Sequence, residues 1–174
     1  MKNAENLSVE QETPKKHDLS TLSHVGWREW VGIPAWGVDY IKAKVDTGAR
    51  TSSIHAEEIK SFHKDGNPWV RFTIHPWQEN IKDGGIRVEA PVASWRSVRS
   101  SSGHEEMRPV VTADLVVADV SFSTELTLTN RDEMGFRMLL GRRALTHRFV
   151  VVPGKSYLGG IPPKEVRMKN RGRG

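Results

Sequence analysis

K-A-K-V-D-T-G-A-R-T-S-S-I-H-A, residues 42–56, is the most informative segment of this 174-residue chain. Its first part alternates. Ile41, Ala43 and Val45 fall on one face and Tyr40, Lys42 and Lys44 on the other, the period of two that a half-buried strand requires. The strand runs without a spacer into Asp46-Thr47-Gly48. A carboxylate is thereby carried on the end of a rigid element, and a glycine two residues on lets the backbone come close to it.

The same period recurs on both sides of this segment. Trp27, Glu29 and Val31 alternate with Arg28 and Trp30. Val70, Phe72 and Ile74 alternate with Arg71, Thr73 and His75. Gly84-Gly85 signals a turn before Ile86, Val88, Ala90 and Val92. Residues 110–120 are nearly continuously apolar apart from Asp114 and Asp119, and Phe122, Thr124, Leu126 and Leu128 alternate again. Phe149-Val150-Val151-Val152 is a short apolar run stopped by Pro153-Gly154. Residues 96–102 read as a loop tip, and helices are expected only at 53–62 and 142–146. The pattern predicts a mostly β domain of short strands, a small barrel or sandwich.

Composition narrows the function. No apolar run approaches the roughly 20 residues of a membrane span, and the first twenty residues show no secretory pattern. The absence of cysteine excludes disulfides, thiol nucleophiles and thiolate zinc sites, and fits a cytoplasmic location. The formal net charge of +5 is mostly terminal. Lys164, Arg167, Lys169, Arg171 and Arg173 stand against Glu165 in the last eleven residues. Residues 1–23 and 164–174 are expected to be disordered or loosely attached tails around a domain at 24–163. With the basicity in a tail, nucleic acid is not an expected partner, and a membrane is not either.

Asp-Thr-Gly behind a hydrophobic strand is the arrangement aspartic-protease chemistry uses: the strand fixes the carboxylate, the threonine bonds across a dimer axis, and the glycine admits the backbone. The extended string from Val45 to Ala56, with Arg108-Pro109-Val110 and Leu139-Leu140-Gly141-Arg142-Arg143-Ala144-Leu145, resembles the bacterial retropepsin-like aspartic proteases. That group is often labelled "ATP-dependent zinc protease", and some members are encoded beside a ligase that adds glutamates to a ribosomal protein. The similarity covers about residues 27–163. Ninety-five positions separate Asp46 from Gly141, more than in retroviral enzymes, and the surplus lies around 61–102.

The resemblance implies an acid-protease β-barrel with one or two short helices. It implies a homodimer in which Asp46 of each copy forms a catalytic dyad, with Thr47 and Gly48 in support. Leu139, Leu140, Gly141 and Arg142 would buttress the catalytic loop. Ala49, Arg50, Arg96 and Arg99 are assigned to substrate contact, with glutamate-rich peptides as the implied substrate. No cofactor and no metal are expected. The chain lacks H-E-x-x-H, and its Gly154-Lys155-Ser156 lacks the earlier glycine of a phosphate-binding loop because Phe149 stands there. His55 reads as a surface or helix-start residue, and Trp77 and Trp95 as candidate flap or substrate contacts. Two alternatives stay open: a non-catalytic barrel that binds an acidic or ribosomal partner, and a hydrolase built on scattered His and Asp.

Overall fold

The computed structural model describes residues 19–78, 84–99, 103–130 and 135–171. The Asp46 strand is β3 (Val38–Val45), with Val38, Ile41, Ala43 and Val45 buried as the alternation predicts. It is preceded by β1 (Ser23–Gly26) and β2 (Arg28–Ile33), and followed by β4 (Ser52–His55), β5 (Glu57–Lys64) and β6 (Asn67–Ile74). Then come β7 (Ile86–Pro91), β8 (Ser94–Arg99), β9 (Glu105–Val117) and β10 (Val120–Thr129). The chain closes with β11 (Met138–Leu140), α1 (Arg142–Leu145), β12 (Phe149–Val152) and α2 (Lys164–Asn170).

Six strands close on themselves in the order β10, β4, β11, β3, β2, β9, because β9 pairs back onto β10. This is the small barrel that the resemblance implied. The β8–β9 hairpin extends from it, with Trp95 and Met107 exposed. A second, three-stranded sheet, β5-β6-β7, is formed by part of the surplus sequence. Its inner face (Val70, Phe72, Ile74, Val88, Ala90) belongs to the same core cluster as Ile41, Ile54 and Leu128 of the barrel. The edge-to-face pair Trp36–Phe72 at 5.4 Å forms part of that seam.

Three expectations are corrected. Residues 53–62 are strand rather than helix: Ser52, Ile54 and His55 of β4 are buried where the backbone fills the gap between β10 and β11. The ladder partners on both sides outweigh the helical spacing in that segment. The apolar stretch 110–120, read simply as apolar, spans the end of β9 and the start of β10, folded at Ala118-Asp119, whose positive φ values of 48° and 63° make a two-residue hairpin turn. The basic segment after 163 is not wholly a loose tail: Lys164–Asn170 is helical, and the buried Asn170 accepts a hydrogen bond from the Gln78 backbone N–H at 2.9 Å. The loop read at 96–102 is strand as far as Arg99, and residues 100–102, like 1–18 of the amino-terminal tail, lie outside the described residues.

Glu29 is the charged residue most deeply set in the barrel, with no exposed surface. Its Oε1 accepts the N–H groups of Gly26 at 2.6 Å and Leu158 at 2.9 Å, and its Oε2 that of Gly159 at 3.1 Å. Three backbone donors replace the water this carboxylate loses. They also tie the strap after β12 to the start of β2. Tyr157 adds to the strap by stacking on Trp30, and Arg28 lies over the rings of Trp27 and Tyr157. Glu29→Ala is expected to lower unfolding free energy by about 3 kcal/mol or more, because it orphans three donors. Urea denaturation checks this, and a loss below about 1 kcal/mol would refute the anchoring role.

Candidate active site

The loop that carries Asp46 is assembled from segments far apart in the chain. β11 lies between β3, parallel to it with Leu140 opposite Val45, and β4, antiparallel with Leu139 opposite Ser53. Asp46 N–H donates to Leu140 O at 2.8 Å, which continues the β3–β11 ladder into the loop. The Asp46 side chain folds back on the turn it begins. Oδ1 accepts the N–H groups of Gly48 at 2.9 Å and Ala49 at 3.2 Å. Oδ2 has the half-exposed Lys44 Nζ 3.9 Å away, and the Asp46 side chain is partly exposed. A Cβ on residue 48 would lie 3.1 Å from Oδ1, so glycine suits this turn.

From below, Gly141 N–H donates to Ser52 Oγ at 3.0 Å, Arg142 N–H to Ala49 O at 2.8 Å, and Arg143 N–H to Arg50 O at 3.1 Å. A Cβ on Gly141 would come within 2.5 Å of the Thr51 backbone, so only glycine lets the two segments touch. The Arg142 guanidinium donates through Nη1 to the carbonyls of both Thr47 and Gly48 at 2.9 Å. The structure therefore brings together Asp46, Thr47, Gly48, Ala49, Arg50 and the run Leu139, Leu140, Gly141, Arg142. Of the arginines assigned to substrate, Arg50 is exposed on this loop. Arg96 reaches Thr127 Oγ1 at 2.6 Å and Glu125 at 3.5 Å. Arg99, near the end of β8, pairs with Glu105 at 3.4 Å and is not tied to the loop.

His55 is corrected: it is fully buried on a strand, not at the surface or a helix start. Its Nε2 lies 3.1 Å from Glu57 Oε1, and His75 Nε2 lies 3.1 Å from Glu57 Oε2. Burial pushes the Glu57 carboxyl up. The His55 hydrogen bond, the charges of His75 and His55, and the His75 hydrogen bond outweigh that and hold it below its ordinary value. The cluster joins the end of β4 to the three-stranded sheet. Sequence reasoning missed it, since Glu57 and His75 are eighteen residues apart. Ser52 and Glu125 were missed as well, although Glu125 is the single charged residue of β10. Among the described residues no group of three or more His, Cys, Asp or Glu is arranged to hold a metal ion, so the zinc of the group's label finds no fitting donor set there.

The sequence model of the family described as "RimB-like: Retropepsin-like aspartic endopeptidase RimB" matches residues 24–161. Two curated relatives, each named "Probable alpha-L-glutamate ligase", come from Shewanella pealeana and Parasynechococcus marenigrum. The first is 46% identical over 136 residues, which is 78% of this chain and 30% of the relative. The second is 48% identical over 138 residues, 79% of this chain and 29% of the relative. The chain thus spans under a third of the length of these relatives. A crystal structure of a Legionella pneumophila protein of unknown function (DUF785) superposes with a TM-score of 0.66 at 28% identity. It covers 79% of this chain and 98% of that one.

Two outcomes follow from the site geometry. Gly141→Ala should separate the loop from its buttress and destabilise the fold by about 1–3 kcal/mol, read by thermal melting. For Glu57 the lowered value means the unfolded chain takes up its proton first on acidification. The stabilisation is present above the ordinary glutamate value of about 4.3 and is lost as the pH falls through the lower folded value. Glu57→Gln should therefore flatten the acid limb of a stability-against-pH curve, and an unchanged limb would contradict the cluster's role.

Proposed function

Because the chain belongs to the RimB-like family of retropepsin-like aspartic endopeptidases, we propose that it cleaves peptide bonds with a water activated by two Asp46 carboxylates, one from each of two copies. The observation that carries this reading is the state of the Asp46 carboxylate: one oxygen is fixed by two backbone N–H groups, and the side chain stays partly open to solvent. A single such loop supplies half of an acid–base pair. An isologous two-fold arrangement supplies the other half from the same residue of a second copy.

Two carboxylates in contact do not both ionise, so the pair shares one proton. The ionised member takes a proton from the water as it attacks the scissile carbonyl. The protonated member donates to the developing oxyanion, and the nitrogen receives a proton as the tetrahedral intermediate collapses. The step as proposed runs through the two Asp46 carboxylates and the water, with no covalent intermediate. The loop's rigidity matters because it holds both carboxylates in place before substrate arrives. We assign this activity to the unit 24–163, with the β8–β9 hairpin and its exposed Trp95 as the proposed substrate-covering element.

Glutamate-rich peptides are the proposed substrate. The name of the curated relatives, glutamate ligases of which this chain matches less than a third, supports a link to glutamate-containing chains. The chain has no cysteine, which suits a reducing compartment such as the cytoplasm. No helix among the described residues is long and apolar enough to cross a membrane.

Wild type and Asp46→Asn are to be compared on oligoglutamate-tailed and mixed peptides by mass spectrometry, with a chelator present. Wild type should cleave, and the variant should lose about a thousandfold or more in rate while keeping its melting temperature. Equal cleavage by both would overturn the proposal. Separation of the two by sedimentation at several concentrations should show a dimer, since a monomer that cleaves at full rate has no second carboxylate.

A further inference from the structure

β10 reads V-S-F-S-T-E-L-T-L-T, and its one charge is Glu125. Glu125 Oε2 lies 3.3 Å from Nη1 of Arg143 on α1 and 3.5 Å from Nη2 of Arg96 on β8. Three elements remote in sequence thus bring two guanidinium groups to one carboxylate. Beside them opens a cavity of about 380 Å³ lined by Thr51, Thr112, Ser123, Thr124, Glu125 and Arg143. Every lining side chain is a hydroxyl or a charge. The Ser123 hydroxyl donates to Asp114, its direct partner across the β9–β10 ladder. Such a lining suits an anionic group that accepts hydrogen bonds and not an apolar side chain.

The cavity borders the chain just after the Asp46 loop. Thr51 lies five residues beyond Asp46, and the Arg143 backbone donates to Arg50 O. Five residues span at most about 18 Å, within reach of a side chain a few positions along an extended peptide.

We infer that this cavity is the subsite for an acidic side chain of the substrate and that Glu125 is its internal competitor, a carboxylate that holds the place the substrate's carboxylate takes. The inference rests on the peptidase reading of Asp46. Glu125 keeps Arg96 and Arg143 aimed at one point when no peptide is bound. An incoming carboxylate exchanges for it, so the net gain per side chain is small. A neutral side chain of the same shape offers the arginines nothing. Weak binding at each acidic position also lets acidic products leave, which full pairing with two free arginines would hinder.

The test uses fluorescein-labelled hexaglutamate and hexaglutamine peptides, with binding to Asp46→Asn protein followed by fluorescence anisotropy. On that background Glu125→Gln is expected to tighten hexaglutamate by about tenfold, and Arg143→Gln to weaken it by about tenfold, while hexaglutamine changes little in either. Both effects should shrink in high salt. Arg96→Gln serves as a second arginine variant should Arg143→Gln lower the melting temperature. Loss of any preference for hexaglutamate over hexaglutamine in the parent protein, or a preference that Glu125→Gln leaves unaltered, overturns the subsite. Turnover by wild type is recorded in parallel. Asp46-dependent cleavage without a glutamate preference sinks the subsite alone. A preference that responds to Glu125→Gln without cleavage upholds the carboxylate site and sinks the peptidase reading.

Discussion

The three residues Met138–Leu140 have too few contacts of their own to be a stable strand, yet the candidate site depends on their position. They are buried, and they are held only because β3 lies on one side and β4 on the other. Leu140 supplies the carbonyl that receives Asp46 N–H, and Gly141 passes close enough to Thr51 to be bonded by Ser52. Arg142 then closes the loop from the outside by grasping the carbonyls of Thr47 and Gly48. A turn that sequence alone would allow to be mobile is thereby fixed by partners some ninety-five residues away. Such long-range closure is paid for in loop entropy before it is rewarded. The site therefore exists only when the barrel is complete.

The barrel has a second long-range tie in Glu29. Among the described residues this carboxylate pairs with no cation; it accepts three N–H groups, two of them from the strap at Leu158 and Gly159. Gly26 sits against the same strap so tightly that a Cβ would overlap Lys155 O. β1 and β12 pair in parallel beside it. The strap thus links the two-stranded sheet of β1 and β12 to β2, the barrel strand next to β3, and α2 ties the chain after it to Gln78. Packing and backbone hydrogen bonds, not exposed ion pairs, carry this closure. The surface pairs Arg71–Glu89, Arg87–Glu58 and Arg99–Glu105 contribute little by comparison.

Much of this was legible in the residues. The period of two placed β2, β3, β6, β7 and β10, because each presents one face to a core and the other to solvent. Leu139-Leu140-Gly141 was legible only through the resemblance, which implies that this segment buttresses the Asp46 loop. Residues 53–62 misled, since Ile54 and Ile59 are compatible with a helix and the ladder that captures β4 is set by distant strands. A local signal was present at Asp65-Gly66, whose positive φ values close the β5–β6 hairpin, and it argued for strands on both sides. His55 misled for the same reason: it lies on β4, which is buried by its pairing with the distant strands β10 and β11. Of the arginines assigned to substrate contact, Arg96 and Arg99 are engaged with Thr127, Glu125 and Glu105. Which of them face a cavity depends on β8, β10 and α1 meeting, and a single sequence carries no trace of that.

The two proposals constrain each other through symmetry. A two-fold axis through the Asp46 pair would duplicate the Arg96–Glu125–Arg143 site, one copy on each side of the scissile bond. The peptide itself has no such symmetry, since its two halves run in opposite senses from the axis. A substrate that offers the same side chain on both sides best suits such a site, because neither half then needs its own pocket. A run of identical acidic residues meets this condition, whereas a mixed sequence satisfies one subsite and strands the other. The small gain at each exchange with Glu125 then adds along the chain, so that affinity grows with the number of acidic residues engaged and falls once cleavage divides them. Selection for long acidic runs over short ones would arise from the fold's own duplication, without any residue that measures length.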